Sequence, residues 1–200
     1  MHISEGVLSP AVLGSGAALA ALGTAIGLRR LDYDRLMTVA LLSAAFFVGS
    51  LVHIPVGLGS VHLVLNGLLG VLLGWAAFPA ILAALALQGL LFQYGGLTVL
   101  GVNTFNMAFA GVLAAHARKG IARLLPGPGG QRTADFCGGA LGVALAGFFT
   151  AAALAFSDEG FLTAAKLLFL AHLPVMAVEG VITLFTVSFI ARVRPEMLNL

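Results

Sequence analysis

The opening "MHISEGVLSP" places a histidine next to the amino terminus of a very apolar chain. The Met1 amine, the His2 amide nitrogen and the His2 ring Nδ1 can chelate one metal ion together. The amine–amide bite closes a five-membered ring and the amide–imidazole bite a six-membered one, so the three nitrogens lie in a plane with little strain. A planar nitrogen set suits Ni(II) or Cu(II), and low-spin Co(II) is compatible, whereas Mg, Ca and Mn prefer oxygen donors. A further donor has to come from elsewhere in the fold, and His62 is the candidate. His2 also protects the chelate, because methionine aminopeptidases generally require a small second residue. Met1 is therefore expected to stay, with its formyl group removed. The ordinary alternatives stand beside this reading: an exposed terminal residue at His2, a hydrogen-bonded helix cap at His62.

Ligands so far apart in sequence need a bundle to unite them, and the composition says where that bundle sits. The chain is 60% hydrophobic and 9% charged, with mean hydropathy +1.07, against roughly 25% charged residues in a soluble domain. An all-α integral membrane protein is expected, as one domain over residues 1–200. A helix needs about 20 apolar residues to cross the hydrocarbon. Candidate spans lie at about 10–28, 35–53, 62–74, 77–94, 102–123, 135–156 and 162–191, seven in all. The third is short, set between a turn at 57–60 and Gly74 with Pro79, and short glycine-interrupted segments often mark binding sites in membranes.

Charge supplies an orientation. Residues 1–10 carry Glu5 and no Lys or Arg, unlike a secretory leader, so the first helix is expected to be uncleaved. Arg29, Arg30, Arg35, Arg118, Lys119, Arg123, Arg132, Arg192 and Arg194 share one set of helix ends, and Lys166 alone lies toward the other. By the positive-inside rule this predicts the N-terminus outside and the C-terminus inside. His2, His53, His62 and the segment 94–103 then fall together on the outer side.

Several function classes drop out. The pI of 9.1 rests on a net charge of only +2, too little for nucleic acid as a partner. No GxxxxGK[ST], HExxH or GxSxG occurs, so an enzyme is not expected. Cys137 is the single cysteine and lies at the wrong end for a ligand. The pairs Gly23/Gly27, Gly70/Gly74 and Gly138/Gly142, with the stripe Ala17/Ala21/Ala25, have the spacing of close helix packing, within the bundle or, as the alternative, against a partner helix. The stretch 124–135 reads as a mobile Pro/Gly loop. Asn103 and Asn106 are candidates for bracing the ligand loops or for bonds between helices. Glu179, two turns beyond His172, is a functional suspect by burial that also fits a structural role near Pro174. His116 reads as snorkelling.

"MHISEGVLSP", "PVGLGSVHLVLNGLLGVLLG" (55–74), "FQYGGLTVLGVNTFNMAFAG" (92–111) and "AHLPVMAVEGVIT" (171–183) follow one another as in the CbiM/NikM family, which this chain resembles over nearly its whole length. Members of that family are the substrate-capturing S components of cobalt and nickel energy-coupling-factor (ECF) transporters. The resemblance implies Co2+ or Ni2+ as transported substrate with no organic cofactor, and Met1, His2 and His62 as metal ligands. It implies a transmembrane coupling (T) subunit, cytoplasmic ATPase subunits and a small accessory membrane subunit as partners, in a prokaryotic inner membrane supplying, for cobalt, cobalamin biosynthesis. Two features depart from the pattern. Val61 stands where the family often has Gly before the histidine, and His53 stands where Asn is expected; His53 reads as a cap, or else as a hydrogen-bond partner or entry ligand. The rival readings are an S component for an organic vitamin and a channel or proton-linked carrier using His172 and Glu179.

Overall fold

The computed structural model describes residues 2–56 and 59–198 of the chain. Helix α1 (Pro10–Arg29) begins where Ser9 caps it, its hydroxyl accepting the Val12 N–H at 3.5 Å, with Pro10 at the first helical position. Both choices are favourable there, since Pro lacks the N–H that a helix start leaves unpaired. A short 3-10 turn leads into α2 (Leu36–Gly49). Then follow β1 (His53–Val56), β2 (Gly59–His62), α3 (Asn66–Leu73), α4 (Ala77–Phe92), α5 (Leu100–Leu124), α6 (Pro128–Ser157), α7 (Leu162–Ala171) and α8 (Leu173–Val193).

Every expected span has its helix, with four corrections. The segment 53–61 is not a plain loop: β1 and β2 pair antiparallel, with His53 opposite His62. Backbone polar groups at membrane depth must find partners within the protein, and a hairpin supplies them. The seventh span is two helices broken at His172, because Pro174 opens α8 and cannot donate into α7. The Pro/Gly stretch 124–135 is mostly helix, since α6 already starts at Pro128. The stripe Ala17/Ala21/Ala25 is not internal packing: all three are exposed, while Gly16, Ala20, Gly23 and Gly27 form the buried face of α1.

Helix α3 is the hub. At eight residues it spans about 12 Å, under half the hydrocarbon thickness of about 30 Å. Nearly all of it is buried, and glycines let its neighbours close on it. A Cβ on Gly70 would overlap the Gly111 carbonyl of α5, and one on Gly142 of α6 would overlap the backbone of Gly67. The Asn66 amide donates to Met107 O at 3.1 Å and Gly142 O at 2.8 Å, fastening α3 to α5 and α6 at once. Gly74 is a turn and not a packing glycine: its φ is +55° with open space around it, and it sends α4 back along α3.

Four stretches, 10–29, 66–92, 128–157 and 173–193, are long and apolar enough to cross a membrane. The third of the expected spans and its successor share the second of these stretches, folded at Gly74. Large apolar side chains such as Leu22, Met37, Leu41, Leu90, Phe148, Phe185 and Phe189 face outward, while Asn66, Gln88, Asn103, Thr150 and Glu179 are buried. That inversion is what a protein solvated by lipid requires. Basic residues gather at one end. There Arg30 lies over the Trp75 ring at 5.6 Å, Arg118 Nε meets Asp135 Oδ1 at 2.7 Å, and Arg35 donates to the Glu196 carbonyl.

Candidate metal centre

The end of the bundle away from those arginines holds the start of the chain. Asn103 of α5 binds both main-chain groups of Ile3: the Ile3 N–H donates to Oδ1 at 3.0 Å, and Nδ2 donates to the Ile3 carbonyl at 3.1 Å. Beyond it, the Glu5 N–H donates to Gly95 O at 3.2 Å. The Glu5 carboxylate accepts the Thr98 N–H at 3.0 Å and the Thr98 hydroxyl at 3.1 Å. The Thr98 N–H, with its hydroxyl second, holds the Glu5 carboxyl below its ordinary range. Ile3 and Leu8 pack with Val99 and Val102 in a small apolar cluster of their own.

The turn 94–98 that receives this segment depends on glycine. Gly95 and Gly96 have φ of +78° and +119°, values that side-chain-bearing residues rarely adopt. A Cβ on Gly96 would overlap the Glu5 side chain, and one on Gly95 would press on Asn103 Nδ2 at 3.0 Å. Fixed in this way, His2 faces His62 with ring centroids 5.0 Å apart and planes at 38°, and Tyr94 lies 6.5 Å from the His2 ring. With metal–nitrogen bonds of about 2.0 Å, two imidazoles bound at right angles would stand roughly 4.5 Å apart. The observed pair is close to that arrangement.

His62 ends β2 and is buried, 5% exposed. Its Nδ1 lies 2.9 Å from Leu63 O. A carbonyl only accepts, so Nδ1 carries the proton and Nε2 carries the lone pair that a metal would take. The next turn is held from α8: Glu179, wholly buried, accepts the N–H of Val64 at 2.5 Å and of Leu65 at 2.8 Å through the same oxygen, Oε1. Among the described residues, no three His, Cys, Asp or Glu side chains gather at a metal-binding distance. Met1 lies outside the described residues, and so does the side chain of His53.

The remaining candidates sort themselves. Asn103 braces the segment that carries His2, whereas Asn106 reaches Thr150 Oγ1 at 3.4 Å and joins α5 to α6. The described bonds of Glu179 run to the turn after His62 and not to His172, which is buried at the head of α8. His116 turns its Nδ1 to Val112 O at 2.7 Å. Cys137 is a free, half-buried thiol on α6, two residues beyond Asp135 at the basic end. Sequence reasoning gave Glu5 no part in the site, and it placed Thr98 and Tyr94 on this side only as members of the segment 94–103. The only trace of the first two was an acidic residue near the chain start and a threonine just past paired glycines.

Residues 2–197 match the family described as "Cobalt uptake substrate-specific transmembrane region", CbiM. A Haemophilus influenzae protein provisionally named a metal transport protein is 41% identical over the whole of this chain and 97% of its own length. An Archaeoglobus fulgidus protein, provisionally named the fused nickel transport protein NikMN, is 30% identical over all of this chain and 68% of its own. A crystal structure titled as a transition metal transporter is similar with a TM-score of 0.79 at 30% identity, over 96% of this chain and 93% of that one. With a match that runs almost from end to end, the chain belongs to the CbiM family of substrate-specific transmembrane proteins.

Proposed function

We propose that this chain is the single-domain substrate-capture (S) component of an ECF-type importer for Co2+ or Ni2+. The Met1 amine, the His2 amide and ring Nδ1, and His62 Nε2 form the ligand set. The observation that carries the reading is the approach of the His2 and His62 rings to 5.0 Å at a site built around the start of the chain. The family name speaks of cobalt and one relative's name of nickel, and a planar nitrogen set accommodates both. Ligation displaces protons from the amine and amide, so affinity falls as pH drops.

The clustering of basic residues at the opposite end supports an orientation with the N-terminus outside and the C-terminus inside a prokaryotic cell membrane. Capture then takes place on the outer face. Energy comes from separate cytoplasmic ATPase chains through a transmembrane coupling subunit, with a small accessory membrane subunit completing the importer. The fused relative supports at least one membrane partner. The test is metal content and affinity of the purified protein, its His2→Ala and His62→Ala variants, and a protein lengthened by one residue ahead of Met1. One ion per chain is expected, lost or greatly weakened in all three alterations. The extension discriminates best, because it keeps every side chain and moves only the amine. Unchanged binding in the extended protein refutes the chelate.

A further inference from the structure

The Leu63 carbonyl that accepts His62 Nδ1 and the Val64 N–H that donates to Glu179 belong to one peptide unit. That unit is planar and stiff. The two hydrogen bonds leave it on opposite sides, so the line carboxylate···H–N–C=O···H–Nδ1 runs without a flexible joint from α8 to the imidazole. We infer that Glu179 is a positioning residue for metal binding, which sets the orientation and donor strength of the His62 ring through the Leu63–Val64 peptide. The inference rests on the reading of His62 as a ligand.

Three features support it. Glu179 is fully buried, and its Oε1 gathers two N–H groups at the start of α3 where no side chain of α3 itself forms a cap. Leu65, the second of the two donors, has φ +53°, a conformation leucine rarely takes, so the turn needs an outside anchor. Finally, a carboxylate that polarises an amide makes its carbonyl a stronger acceptor. Metal-bound histidines commonly gain basicity from such a partner on the other ring nitrogen. Here the carboxylate acts one peptide removed.

The experiment measures Ni2+ or Co2+ affinity and the visible absorption of the bound ion in the full-length protein, for Glu179→Gln, Glu179→Asp and Glu179→Met. Each is made alone and with His62→Ala. Gln keeps the acceptor oxygen, Asp falls short by about one C–C bond, 1.5 Å, and Met removes the acceptor at similar length. Asp and Met are expected to weaken binding about 10- to 100-fold and to shift the absorption band, with Gln, which keeps the acceptor oxygen and loses the charge, weakening it less than either. In the His62→Ala background none of the three should weaken binding further. Equal losses in both backgrounds mean a general disturbance of the bundle and overturn the inference, as does parent-like binding by Asp or Met. If Met does not fold, Asp against Gln decides. If His62→Ala itself binds like the parent, the ligand assignment falls and this inference with it; if only the Glu179 variants bind like the parent, the ligand assignment stands alone.

Discussion

Replacing Asn103 by Leu keeps its approximate size and removes both bonds that hold Ile3. Each main-chain group left buried without a partner costs about 1–3 kcal/mol. Ile3 is 4% exposed, but the chain start lies at the edge of the bundle, where water can partly substitute. The lower end of the range is therefore appropriate, about 2 kcal/mol for the two bonds together. The loss falls on docking of residues 2–5 and not on the bundle, which Asn66 and the glycine faces hold independently. Binding that needs the docked segment weakens as the docked fraction falls. At 1.4 kcal/mol for each factor of ten, the limit is about 30-fold. Calorimetric titration with Ni2+ would measure it, beside a thermal melt and hydrogen exchange at the Ile3 amide. Expected are an affinity lowered by up to that factor, a melt moved by a degree or two at most, and loss of Ile3 protection. Full affinity together with lost protection would show that docking of the chain start is irrelevant to the metal.

Other outcomes follow from the same contacts. Glu5 has its folded-state pKa lowered by Thr98, so its latch is at full strength above the ordinary carboxylate pKa and is lost as pH falls through the depressed one; exchange at the Thr98 amide should rise over that acidic window, and Glu5→Gln should remove the pH dependence. Gly96→Ala should open the same latch at neutral pH, since its Cβ would overlap Glu5, and should weaken metal binding with little change in the melt. Gly70→Ala pushes a methyl into the Gly111 carbonyl, backbone against backbone with nothing soft to yield; a loss of about 1–3 kcal/mol or more should appear as a lowered melting temperature. Gly14→Ala, on the same type of helix but with open space around it, should be neutral or stabilising by up to about 1 kcal/mol.

What the sequence revealed depended on whether the signal was local. Runs of apolar residues located the helices, and the first span, expected from about residue 10, starts at Pro10 behind its Ser9 cap. The start of α6 was misplaced because its first two turns, "PGGQRTAD", are polar; Pro128 was a visible helix-opening signal that hydropathy outweighed. Pro174 was read as an interruption within one span over 162–191, and the structure turns that interruption into a full break before α8. Small residues at helical spacing revealed a face of α1 without saying which way it turned, and Ala17, Ala21 and Ala25 proved to face outward. The expected chelate chemistry is local to residues 1 and 2, of which Met1 lies outside the described residues. The placement of His62 beside His2 was an inference about sidedness that the fold agrees with. Glu179 was not assignable, because its partners lie 114 and 115 residues away in sequence.

Both histidines face the same physical problem, and the fold answers it in the same way twice. An imidazole on a chain end or a hairpin has too many conformations to present a nitrogen accurately, and short loops cannot fix it by packing alone. In each case a buried polar side chain from a distant helix grips the main chain next to the histidine: Asn103 of α5 holds Ile3 beside His2, and Glu179 of α8 holds the Leu63–Val64 peptide beside His62. The described bonds of Asn103 and Glu179 here run to the main chain and not to either imidazole. They also transfer the accuracy of the site to the relative position of α5 and α8, which pack against α3 and α6 through glycines with no side chain to deform. The rigid part of the site is therefore the glycine-lined bundle beneath it, and the polar grips are the short links by which that rigidity reaches the two imidazoles.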